Sequence, residues 1–145
     1  MGRKTKHNKL TTPELIDQYN SKNRRLKIDF LTYLKSTQRS PGTIYNYNSD
    51  LDIFFVWCLQ HCGDKDFVDI TKRDIIAFQN WLIEENQNSP ARVRRYKSTL
   101  SSLSNYIENI LDDEYRDYRP IVRKIENPLN IPVREKSVFS NEQIK

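Results

Sequence analysis

SPARVRRYKSTLSSLSNYIENIL, residues 89–111, decides the fold class. Ser89 is followed directly by Pro90, the chemistry of a helix start: a serine hydroxyl accepts a backbone N–H that the first turn leaves unpaired, and proline's fixed φ and missing N–H cost nothing at the first helical position. From there Val93, Tyr96, Leu100, Leu103, Ile107 and Ile110 recur at spacings of three and four, the apolar stripe of an amphipathic helix from Pro90 to about Leu111. The far side holds Ala91, Arg94, Arg95, Ser98, Ser101, Ser102 and Asn105, flanked by Arg92 and Lys97, with no acid between Glu85 and Glu108. A solvated helix face usually mixes Glu with Lys for pairing one turn apart, and this one does not. Guanidinium forks for phosphates or guanine edges, with short hydroxyl side chains that let a helix approach closely, are what a DNA groove requires, and the helix N-terminus adds a positive dipole.

The same punctuation recurs upstream. Thr12-Pro13 and Ser40-Pro41 announce two more helices, and Thr71, with Asp74 three residues on, announces another. The first is expected from about Pro13 to Ser36, with Leu15, Tyr19, Leu26, Phe30 and Leu34 on one stripe and Lys22, Arg24, Arg25 and Lys27 mostly off it. The second runs from Pro41 to about Cys62 and is ended by Gly63. Its Ile44, Tyr47, Leu51, Phe54, Phe55 and Cys58 share a face, and Ile53, Val56 and Trp57 lie off it, so this helix should be covered on two sides at the centre of a bundle. Its N-terminal half stays polar, with Thr43, Tyr45 and Asn46. The third spans Thr71 to about Asn86 with Ile75, Phe78 and Leu82. Pro120 and Asn127-Pro128 bracket a short helical piece containing Ile121, Val122 and Ile125, and no segment reads as a strand. The expectation is an all-α chain: a basic N-terminal tail over 1–11, a four-helix domain with a short C-terminal helix over 12–127, and a linker over 128–145. In that last stretch Ser140-Asn141-Glu142-Gln143 has the pattern of a capping box and announces one more helix.

Composition narrows the partners. With 37% hydrophobic and 30% charged residues, the core of this 145-residue chain must come from narrow stripes on helices. Lys and Arg number 24 against 19 Asp and Glu, a formal charge of +5, and the charge is blocked: Arg3, Lys4, Lys6 and Lys9 precede the first acid, Glu14, and Asp112, Asp113 and Glu114 gather elsewhere. Such segregation makes a one-sided field. The longest apolar stretch, Ile53 to Leu59, is far shorter than the ~20 residues of a membrane span, and no charged-then-apolar leader opens the sequence, so a soluble cytoplasmic protein is expected. Cys58 and Cys62 flank His61, but zinc needs about four ligands, and they read as ordinary buried thiols in a reducing compartment. With no Gly-rich phosphate loop, no Cys/His quartet and only two histidines, no catalytic residue, metal, cofactor or small-molecule ligand is expected.

One ordered series ties these pieces together. Ser40-Pro41-Gly42-Thr43-Ile44-Tyr45-Asn46-Tyr47 leads to Leu51, Phe54 and Trp57; Ile70-Thr71 with Asp74-Ile75 opens the next helix; Ser89-Pro90-Ala91-Arg92-Val93 precedes Lys97, Leu100, Leu103 and Tyr106; Asn127-Pro128 comes before a proline-containing linker. From about Thr12 to Lys145 this resembles the core-binding (SAM-like) domain of tyrosine recombinases, the phage integrase family, and Val138 to Ile144 resembles the segment that opens the family's catalytic domain. The resemblance implies half of a C-shaped clamp around duplex DNA, with the second and fourth helices meeting the major groove and the backbone. It also implies that strand cutting, through a tyrosine joined to a 3′ phosphate and assisted by arginines, a lysine and histidines, belongs to a catalytic domain missing from this sequence. The family's His-x-x-Arg element has no counterpart at His7 or His61. The candidate DNA contacts are Thr43, Tyr45, Asn46, Ser89, Arg92, Arg94, Arg95, Lys97, Ser98 and Ser101. Duplex DNA is the expected partner, with self-association on DNA in the parent recombinase. The competing reading is a helical protein-interaction module whose basic face meets an acidic partner. Arg94, Arg95 and Ser98 project away from Val93, Tyr96 and Leu100, so their replacement should spare the core, whereas Lys22 and Lys27 carry no expectation of groove contact.

Overall fold

The computed structural model describes residues 11–129. The N-terminal tail through residue 10, most of the linker and the capping-box pattern at Ser140 lie outside them. Five α-helices follow one another without a strand among the described residues: α1 Pro13–Ile16, α2 Ser21–Ser36, α3 Pro41–His61, α4 Lys72–Glu84 and α5 Pro90–Ile110, with a 3-10 turn at Phe67–Asp69. The four caps expected among the described residues are in place. The side chains of Thr12, Ser40 and Ser89 accept from the backbone N–H three residues on, each with proline at the helix start, and Thr71 and Asp74 close a reciprocal capping box. After His61, Gly63 takes φ 64° and lets Asp64 N–H reach the Cys58 carbonyl at 3.0 Å, so the helix stops where the sequence says it should.

α3 is the centre. Every residue from Asp50 to Cys58 is buried, and rings from all sides close on it: Tyr19 on Phe55, Phe30 on Tyr47, Phe67 and Phe78 on Phe54. α2 runs antiparallel to it, since Asn20 bonds Asp64 while Lys27 pairs with Asp52. α5 also runs antiparallel, because Asp50 meets Arg95 and Thr99 whereas Tyr47 meets Ser102. Among the described residues no helix is long and apolar enough to cross a membrane.

Two expectations are corrected. The first helix is not continuous from Pro13 to Ser36; it breaks at Asp17–Asn20, and Asn20 caps a new helix by accepting from Asn23 N–H at 2.8 Å. The break is held from afar: the Asn20 amide donates to the Asp64 carbonyl at 2.7 Å, and Arg24 donates to the carbonyls of Ile16 and Tyr19 at 2.8 and 3.1 Å, serving the acceptors that the interrupted helix leaves open. The short helical piece at 121–125 is a turn instead. Lys124 has φ 71°, which no right-handed helix permits, and Ile121 and Val122 plug the bundle rather than continuing a stripe.

Candidate nucleic-acid interface

The polar first half of α3 and the first half of α5 meet at a groove of about 180 Å³ lined by Thr43, Asn46, Tyr47, Asp50, Arg95, Ser98 and Thr99. Four of the ten candidate residues, Thr43, Asn46, Arg95 and Ser98, therefore meet in one place although 52 residues separate Thr43 from Arg95. Asn46 and Ser98 are exposed and Thr43 is half-buried. Arg94, half-exposed, and Ser101 continue the strip along α5, with Asn105 exposed one turn beyond Ser101. Arg92 is exposed in the first turn. Ser89 is exposed, and its hydroxyl caps α5 by accepting from Arg92 N–H at 3.2 Å. Tyr45 is 70% exposed on α3, outside the groove lining.

At the groove floor Asp50, only 2% exposed, holds Arg95. The guanidinium donates from Nε to Oδ2 at 3.3 Å and from one Nη to Oδ1 at 2.5 Å, and Thr99 adds its hydroxyl to Oδ2 at 2.8 Å. Hydrogen bonding to Asp50 raises the Arg95 pKa above its already high range. Arg95 is thus not the dispensable surface cation that its helical position implied, because its removal strands a buried carboxylate. Asp50 and Thr99 were missed in the sequence. The available signal was that Asp50 follows Asn46 and Tyr47 by one helical turn, on the polar edge of an apolar stripe.

Lys97 departs furthest from expectation. It is 3% exposed, and its ammonium donates to the Ile125 and Glu126 carbonyls, each at 3.0 Å. Burial lowers its pKa. Lys97 fastens the segment before Pro128 to α5 and presents no charge to a groove. Lys27, expected to be an ordinary cation, is likewise buried, 2.6 Å from Asp52; Lys22 remains exposed. Cys58 is buried as expected and Cys62 half-buried. Among the described residues no three His, Cys, Asp or Glu side chains stand together as a metal site.

Helices packed around a central α3, with a polar groove between the first halves of α3 and α5, make an all-α domain. Residues 26–117 match the phage integrase N-terminal SAM-like domain, and with more than half of its length so matched the chain belongs to that family. Over 115 residues it is 30% identical to the SPbeta prophage-derived recombinase-like protein YomM of Bacillus subtilis (strain 168), an overlap of 77% of this chain and 33% of that relative. The chain spans about a third of the length of the relative it matches. No solved structure matches it.

Proposed function

We propose that this chain is the duplex-DNA-binding part of a site-specific tyrosine recombinase, and that strand cutting and joining belong to a catalytic domain of the parent protein. One observation carries the reading. On the two helix halves that line the groove, residues 41–50 and 90–101, the only acid is Asp50, and it is buried against Arg95. The exposed remainder offers hydroxyls, an amide and the cations Arg92 and Arg94, with no carboxylate to repel a phosphate backbone. Family membership supports a recombination role, and the name of the Bacillus relative points the same way.

Fluorescence anisotropy of a labelled duplex across a salt series tests this. Affinity should fall steeply with salt, and Arg92→Ala and Arg94→Ala should each flatten the log–log slope by roughly 0.9, the counterion contribution of one phosphate contact. Lys22→Ala, an exposed cation on α2, should leave the slope in place and replaces any control that uses the buried Lys27. Salt-independent binding would favour a protein-interaction surface, and equal losses at Lys22 and Arg94 would leave only a generic basic surface in place of a groove contact.

A further inference from the structure

We infer that Arg95 is a specificity-determining residue that reads the edge of a base, while Arg92 and Arg94 hold phosphates; this rests on the DNA-binding reading above. An arginine side chain has five N–H donors arranged in a planar fork. Asp50 occupies one side of that fork, taking Nε at 3.3 Å and one Nη at 2.5 Å. What remains is the end of the guanidinium, where one N–H on each Nη points outward in parallel. The Arg95 side chain is 39% exposed while that of Asp50 is 2% exposed, and the end of the fork is the part the carboxylate leaves unengaged.

Two consequences separate Arg95 from its neighbours. Its charge is already matched by a buried carboxylate, so a phosphate gains little from it and few counterions are released on contact. Its direction is fixed by three hydrogen bonds around Asp50, one of them from Thr99. A neutralised, rigid pair of parallel donors suits two acceptors side by side on an uncharged partner. In the major groove guanine presents such a pair, O6 and N7. The walls beside it, Thr43, Asn46 and Ser98, are uncharged hydrogen-bonding side chains, as a base-reading pocket requires and a phosphate clamp does not.

The test selects duplexes from a random-sequence library with the 145-residue chain at low salt, then measures salt slopes on the selected pool. The D50N/R95Q double variant replaces the ion pair by a neutral one and leaves no stranded carboxylate, and D50N alone keeps Arg95 while releasing its charge. Thermal melts check that both fold; if the double variant does not, the D50N slope decides. Expected for the wild type is a pool sharing a G·C pair at one fixed position. D50N/R95Q should lose that position, a discrimination on the order of ten- to hundredfold, with its salt slope unchanged. D50N should bind all sequences more tightly with a slope steeper by about 0.9, because Arg95 then acts as an ordinary phosphate-seeking cation. A wild-type pool without sequence preference overturns the inference and leaves phosphate binding standing. So does a preference that survives in D50N/R95Q, a double variant whose slope flattens by about 0.9, or a D50N slope equal to the wild type. If the wild type retains no duplex at low salt, the DNA-binding reading itself falls and this inference with it.

Discussion

Adjacent arginines on α5 have opposite stability roles. Arg94 is half-exposed on the strip, whereas Arg95 is the counterion of a carboxylate that water barely reaches. Arg94→Ala should therefore change stability by no more than about 0.5 kcal/mol, as surface substitutions do. Arg95→Ala should cost about 1–3 kcal/mol, since among the described residues Asp50 then keeps Thr99 as its hydrogen-bond partner. The figure stays below that of a fully buried pair because the arginine end is partly solvated. Urea unfolding of the two single variants checks this, and equal losses would mean that the Asp50 pair carries no weight. Helical periodicity placed both arginines off the apolar stripe but could not separate them. The difference lies in a residue 45 positions away on another helix, and no local pattern encodes which cation will reach which buried acid.

Helix starts were legible and some helix ends were not, for a physical reason. A start is written locally in a hydroxyl followed by proline, or by an acid three residues on, and the caps at Thr12, Ser40, Thr71 and Ser89 all form. The break before Ser21 has no such mark: Asn20 becomes a cap because Asp64 holds it from 44 residues away. The turn at 121–125 is fixed in the same remote fashion, by Lys97 on α5 and by the Gln79 amide, which donates to the Glu126 carbonyl at 3.1 Å. Lys97→Met retains most of the buried stem and removes the donors. Amide hydrogen exchange should then accelerate across 121–126 while α3 stays protected, since its buried ladder does not depend on that segment. Unchanged exchange there would show that Ile121 and Val122 alone hold the turn.

For the molecule as a whole, acid stability should hang on Asp74. Burial pushes its carboxyl up, but the hydrogen bonds it accepts from Lys65 at 2.7 Å and from the Thr71 backbone N–H at 2.9 Å, with the Lys65 charge, outweigh that, and the net pKa is lowered. A carboxylate depressed in the folded state stabilises above its unfolded value and loses that contribution as pH falls through the folded value. The stability difference between wild type and Asp74→Asn should therefore be full at neutral pH and shrink below about pH 4, read from urea melts over that range. A difference that stays constant with pH would assign the role to the cap geometry alone. At this scale much was legible in the sequence, because blocked charge, cap order and the two-sided α3 pattern depend on where residue types fall along the chain. The groove was only half legible: its walls were on the candidate roll, but its floor, Asp50 and Thr99, emerged only once α3 and α5 were laid side by side.

The fastening of Lys97 has a mechanical meaning. Arg94 and Ser98 lie on the same helix, within one turn of it, and the Ile125 and Glu126 carbonyls are tied to its ammonium. α5 therefore carries the groove on one flank and the Ile125–Glu126 backbone strapped to another. A roll of the helix about its axis, as when side chains settle against a surface, would carry the strapped carbonyls, and with them the approach to Pro128. The setting of the backbone at Ile125 and Glu126 would thereby follow the angle at which α5 lies.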